Sequence, residues 1–239
     1  MTIEEILNNT KHRPWDLPNE RWKYYQEWND TLFLHRKVDP NELRRFVPND
    51  LEIDLYNGQS WVSLVAFKME KVRPRFLPAF SPISNFHEIN IRTYVKKNSK
   101  AGVYFLSIEG GNRVSCNIAK AFSGLPYRHS KMNRADSIYC SENKEFDDRV
   151  FIKYEVGETL EHKTLLDKWL TERYALFQDT KTSINKFEIH HIEWPIQKFD
   201  IKEIDIIYPK FKTLLNKDPD LLHYSSGVQV IAWGKKRVN

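Results

Sequence analysis

Cysteine is scarce: the 239 residues contain two, Cys116 and Cys140. Two thiols so far apart make neither a disulfide framework nor a zinc site. A chain of this length buries roughly 70–75% of its unfolded surface on folding, so it needs no such staple. Glycine is rare too, at 8 residues. The sequence has no G-x-S-x-G nucleophile elbow, no phosphate loop and no G-x-G-x-x-G fingerprint. No window approaches the ~20 apolar residues of a membrane-spanning helix. The opening MTIEEILNNTKHRPWDLP carries charge throughout and lacks the apolar stretch of a secretory signal. Repeats, low-complexity tracts and Gly/Ser linkers are also missing. These absences point to one reduced, cytoplasmic domain over residues 1–239, with residues 1–20 as an N-terminal extension packed on it.

Charge is not concentrated either. Thirty-seven Lys and Arg stand against 32 Asp and Glu, a net +5, with the two signs interspersed. The single basic run, GKKRV, lies at residues 234–238. A nucleic-acid binder gathers its charge on one surface, so no nucleic-acid partner is expected, and no membrane partner. The composition leaves room for a homo-oligomer. Aromatic residues make up 13% of the chain, including seven Trp. That suits a β-rich core or a lined cavity.

What is present alternates. Residues 22–37 read as extended. DPNELRRFV (39–47) carries a helix start, with Asp39 as N-cap and Pro40 in the first turn. Strands are expected at 51–56 and 61–72, separated by a YNGQ turn. In the second of these Trp61, Ser63, Val65, Phe67 and Met69 share one face. The Pro-rich 74–82 reads as a packed loop. Strands follow at 86–95 and 103–108, then a helix at 112–122 stopped by Gly124 and Pro126. Extended segments at 127–140 and 149–156, a helix at 165–174, FEIHHIEW (187–194) and a strand at 228–233 complete the chain. Many strands with few helices argue for an α+β, mainly β fold built on a closed or strongly curved antiparallel sheet.

The strand 86–95 carries the most chemistry. Ile89, Ile91 and Val95 fall on one face with His87 and Thr93. Phe86, Glu88, Asn90, Arg92 and Tyr94 fall on the other, ~6.6 Å between alternate residues. Such a face is either a solvated outer surface or the polar interior of a barrel, and periodicity does not separate the two. In GLPYRHSKM (124–132), Tyr127, His129 and Lys131 share a face, and Arg128 lies on the opposite one. Three proton donors in a row suit an anion or a carbonyl oxygen, and equally an exposed basic strand. His191 and Glu193 share a face in HHIE (190–193), but two ligands do not make a metal site. No metal and no cofactor is expected.

Several runs stand in order along nearly the whole chain. They are HRPWDLP (12–18), EWNDTLFLHRKVDPNELRRFVPNDLEID (27–54), HEINIRTYV (87–95), GLPYRH (124–129), WLTERYALF (169–177) and LHYSSGVQVIAW (222–233). They resemble the YqjF-like family of uncharacterised bacterial proteins, in the acetoacetate-decarboxylase-like superfamily. The resemblance implies an antiparallel β-barrel or cone with a few flanking helices and a buried central pocket. It also implies that Glu88 matches a glutamate those decarboxylases carry on the same strand. Their Pro-Lys-Lys signature, whose first lysine forms a Schiff base beside a second cation, corresponds to Pro126-Tyr127-Arg128. A pocket arginine of theirs falls at Asn29. A phenol cannot form an iminium, so Schiff-base decarboxylation is not expected here.

Glu88, Arg92, Tyr127 and Asn90, with Arg128 or His129, are therefore the expected pocket residues. Glu88 and Tyr127 are the candidate catalytic pair. An organic anion or keto acid is the expected ligand, because arginine and tyrosine hold carboxylates and carbonyls. The rival readings are an enzyme with lysine-independent acid–base chemistry of enolisation or lyase type, and an interaction protein using its surface.

Overall fold

A computed structural model of the chain describes residues 1–180 and 183–238. Helix α1 (Ile3–Asn8) leads by a loop to strand β1 (Tyr24–Val38). At its end Asp39 accepts hydrogen bonds from the backbone N–H groups of Asn41 and Glu42, starting α2 (Pro40–Arg44) as its N-cap. The short β2 (Glu52–Ile53) precedes a tight turn in which Asn57 and Gly58 both have positive φ, at 49° and 79°. An Asn-Gly pair adopts that geometry at little cost. It launches β3 (Ser60–Pro74), followed by α3 (Ser81–Ser84), β4 (Phe86–Lys97) and β5 (Lys100–Gly110). Helix α4 (Arg113–Ser123) is capped by the Asn112 side chain and stopped by Gly124 in the left-handed conformation, φ 77°.

Past α4 run β6 (Tyr127–His129), β7 (Lys131–Ala135), β8 (Ile138–Asn143) and β9 (Asp148–Thr159). The chain ends with α5 (Leu165–Thr171), β10 (Ala175–Asp179), β11 (Ile184–His190), β12 (Ile196–Ile207), α6 (Lys212–Leu215), β13 (Leu221–Ala232) and β14 (Lys236–Val238). Among the described residues all fourteen strands belong to one sheet. Seven of them close a ring, β13-β1-β3-β4-β5-β10-β11, completed where Ile189 and His190 pair with Ala232 and Ile231. A branch, β12-β9-β8-β7, leaves from β13 and returns to β5 through β6, which continues across Ser130 into β7. The pairings are antiparallel except β5 with β10 and β5 with β6.

This layout buries the central strands on both faces. Leu32, Leu34, Leu64, Ile89, Ile91 and Val95 join one core. Phe33, Val65 and Phe67 pack on the other side against Trp194 and Val230, beside Trp61, Tyr94, Leu125 and Leu170. Of the two meanings open for the polar face of β4, the solvated one is therefore ruled out. The N-terminal segment is fastened to the ring: Arg13 pairs with Glu188 at 2.9 Å, and the Ile6 carbonyl lies 2.8 Å from His190 Nε2. No helix among the described residues is long and apolar enough to cross a membrane.

Several expectations shift. The expected strand 187–194 runs from 184 to 190, and the helix 165–174 stops at Thr171. The extended segment 127–140 breaks at Asp136 and Ser137, both with positive φ. The loop 74–82 is not packed: Phe76, Leu77 and Phe80 are 81%, 59% and 64% exposed. Strand β3 ends at Pro74, and beyond it Pro78 and Pro82 remove amide donors, so residues 76–82 leave the sheet.

Gly227 sits on β13 with φ 135°, and a Cβ there would lie 2.3 Å from Asn29 Oδ1 and 2.5 Å from the Trp28 carbonyl. Gly227→Ala is expected to destabilise the fold by roughly 2–4 kcal/mol in denaturant unfolding, from strain plus overpacking. An unchanged midpoint would mean that β1 and β13 approach less closely.

Candidate functional site

Strand alternation aims Glu88, Asn90, Arg92 and Tyr94 of β4 at one side. All four are buried, Glu88 at 2% exposure. Gly124 and Pro126 turn the chain out of α4, and Tyr127 enters β6 opposite Ile108. Its hydroxyl donates to Glu88 Oε2 at 2.7 Å. Asn90 Nδ2 lies 3.4 Å from the other oxygen, and Asn90 Oδ1 has no partner. Burial pushes the Glu88 carboxyl up to about 7, against the pull of the bonds from Tyr127 and Asn90. Burial and the charge of Glu88 hold the Tyr127 phenol well above its ordinary value, so it acts as a donor. Burial, with Glu88 adding, raises the thiol of Cys116 to about 11.

Arg92 is a buried cation without a carboxylate partner among the described residues. It donates from Nη2 to the Leu170 carbonyl at 3.3 Å and lies 5.4 Å from the Phe33 ring centre. Its Nε has no acceptor. A buried guanidinium is costly unless an anion or acceptors meet it.

A second polar cluster adjoins it and was missed in the sequence. Tyr94 also reaches the Leu170 carbonyl, at 2.9 Å, and contacts Ser63 at 2.7 Å. Ser63 meets His35, His35 meets His223, and His223 meets Asp167. These residues lie on β1, β3, β4, β13 and α5. The one signal for them was a serine within the apolar face of β3.

Arg128 and His129 stand elsewhere, which corrects the expectation that one of them joins Tyr127 at the pocket. Arg128 points to the opposite side of β6 and bonds Ser107, Glu109 and Asp148 at 2.6, 2.7 and 2.9 Å. It ties β6 to β5 and β9. Burial raises Asp148 to about 6 despite that arginine. His129 and Lys131 are exposed, because the three-residue β6 has passed the edge of the interior by then. Asn29 donates to Glu70 at 2.8 Å. His191 lies 2.7 Å from the Ile192 carbonyl, while Glu193 faces Lys163 and Lys168. Two surface hollows, one beside Trp233 and one at Glu5, Asn8, Asn9 and Lys11, do not reach Glu88.

Comparison with known proteins gives this arrangement a family. Residues 25–229 match the profile of the DUF2071 family, described as an uncharacterised conserved protein. The chain belongs to this family. It is 34% identical over 225 residues to the uncharacterised protein YqjF of Bacillus subtilis (strain 168), covering 91% of this chain and 93% of that one. Acetoacetate decarboxylase from Legionella pneumophila shares the fold, with a TM-score of 0.64 at 14% identity over 96% of this chain and 95% of that one. The enduracididine biosynthesis enzyme MppR, solved with pyruvate, superposes with a TM-score of 0.59 at 12% identity, over 95% and 93% of the two chains. The family is thus an uncharacterised branch with the acetoacetate-decarboxylase-like fold.

A carboxyl raised from 4.5 to about 7 makes a pH signature. Its folded-state value lies above the unfolded one, so its contribution is full below pH 4.5 and is lost as pH rises through 7. Glu88→Gln removes that loss. Relative to the wild type, the variant is expected to gain on the order of 3 kcal/mol between pH 4.5 and pH 8 in urea unfolding. A difference that stays flat with pH would mean that Glu88 titrates as an ordinary surface carboxylate.

Proposed function

We propose that the chain binds a small organic anion of the keto-acid class inside the seven-stranded ring. The observation that carries this reading is Arg92, buried, with a free Nε and no carboxylate beside it. A ligand carboxylate supplies the missing charge and accepts the guanidinium donors. Asn90 Oδ1, an acceptor without a partner, and the Tyr127–Glu88 pair lie further along the same strand face. The Tyr127 hydroxyl is the donor for the carbonyl end, and Glu88 is the group that shares a proton with it. MppR, a protein of the same fold, holds pyruvate.

The Glu88 carboxyl near 7 favours a second reading, in which the ligand also turns over. Glu88 takes the proton from the carbon beside the carbonyl. As the carboxyl fills, the Tyr127 hydroxyl leaves it and donates to the developing enolate oxygen. Schiff-base chemistry has no part in this reading, since Tyr127 stands at the catalytic lysine's place.

Calorimetric titration with pyruvate, 2-oxobutanoate and acetoacetate tests the first reading. At least one of them is expected to bind, with Arg92→Gln weakening it by tenfold or more. Tyr127→Phe should cost roughly 0.5–1.5 kcal/mol, or 1.5–3 if the ligand atom is charged. No heat from any of the three, or unchanged affinity in Arg92→Gln at an intact melting temperature, sinks it. For turnover, wild-type protein in D2O should exchange the protons beside the carbonyl, and Glu88→Gln should not. Borohydride added with acetoacetate is expected to leave the protein's mass unchanged.

A further inference from the structure

The cluster beyond Arg92 can be read by counting protons. Its short links run in one line, with a longer contact of 3.4 Å between the Tyr94 hydroxyl and His35 Nδ1 alongside. Asp167 Oδ1 is 2.9 Å from His223 Nε2, and His223 Nδ1 is 3.0 Å from His35 Nε2. His35 Nδ1 is 2.6 Å from Ser63 Oγ, which lies 2.7 Å from the Tyr94 hydroxyl. Tyr94 is 2.9 Å from the Leu170 carbonyl. Both ends, a carboxylate and a carbonyl, only accept. These five links need five protons, yet neutral His223, His35, Ser63 and Tyr94 own one each. The neutral line is one proton short, and one added proton fills every link.

We propose that Asp167, His223, His35, Ser63 and Tyr94 form a one-proton relay from the Asp167 carboxylate to the Leu170 carbonyl, two groups of the same helix α5, the second of which Arg92 shares. In the neutral state every donor points toward Asp167: His223 to the carboxylate, His35 Nε2–H to His223, Ser63 to His35, and Tyr94 to Ser63. With one added proton, His35 Nε2–H passes to His223 Nδ1, and His223 then donates from both nitrogens. The Ser63 proton passes to His35 Nδ1, the Tyr94 proton passes to Ser63, and the added proton takes its place on Tyr94, which donates it to the Leu170 carbonyl. His35 thus changes tautomer without gaining charge.

The surroundings set where the proton sits. Arg92 and Arg36 oppose charge on His35, and Lys163 opposes it on His223. Asp167 is the single facing carboxylate and favours His223. Against the desolvation that raises it, bonds from Thr164 and His223 keep that carboxyl below its ordinary range. All five relay residues are buried, with His35 and Ser63 at 0% exposure. The filled relay gives Leu170 a second donor beside Arg92. An anion at Arg92 would in turn favour the added proton, a coupling that rests on the function proposed above.

The relay itself is tested without any ligand, by following the ring nitrogens of 15N-histidine-labelled protein by NMR from pH 8 to pH 5. His35→Gln and His223→Gln assign the signals. At pH 8 both rings should carry their proton on Nε2. On acidification His223 should become doubly protonated while His35 moves its proton to Nδ1, with one shared midpoint. Tyr94→Phe leaves three protons for three links, so the neutral line is complete. That variant should bind the extra proton roughly three- to tenfold more weakly, by the net value of one hydrogen bond. A His35 that keeps Nε2–H throughout, two rings that charge independently, or no change before unfolding would each overturn the relay. A purely structural network would hold its tautomers fixed.

Discussion

Closure of the ring by β11 on β13 is the constraint on which the rest depends. It removes water from the face of β4 that carries Glu88, Asn90, Arg92 and Tyr94. The largest electrostatic shifts along that face follow from desolvation. Burial is the largest cause of the raised Glu88 carboxyl and of the lowered His35 and His223 imidazoles. A fold selected for stability alone would fill such positions with apolar side chains, because buried charge seldom repays its desolvation. This interior instead keeps a carboxyl and a guanidinium, Glu88 and Arg92, unpaired with each other.

Two ends of one strand then divide the chemistry. Around Glu88 the partners are neutral donors, Tyr127 and Asn90, which soften the carboxyl's burial without fixing its charge. Around Tyr94 the partners are Ser63, the His35 imidazole and the Leu170 carbonyl. Arg92 stands between, sharing that carbonyl. The outer wall is held differently. Arg128 sits among Glu109, Asp148 and Ser107 in an ion network that pins β6. Because β6 is pinned on that side, Tyr127 is presented on the other.

The likeness to acetoacetate decarboxylase is one of fold, at 14% identity. The shared barrel supplies a dry interior, and the side chains decide the chemistry. In this chain the buried glutamate, Glu88, has the Tyr127 phenol beside it as a donor.

Some of this was legible in the chain itself. Asp39, Asn112 and Gly124 start or stop helices through bonds to residues two to four positions away, and the Asn57-Gly58 turn is as local. The alternation that puts Glu88, Asn90 and Arg92 on one side is a backbone property of period two. Strand β12 escaped notice because bulges near Gln197 and Ile201 break that period, and β10 because it has only five residues. What alternation cannot state is what a face meets. Tyr127 finds Glu88 across 39 residues, His223 finds Asp167 across 56, and His35 finds His223 across 188. The same face would be solvated in an open sheet. Only the closure of the ring made it an interior, because burial belongs to the pairing of distant strands and not to any one of them.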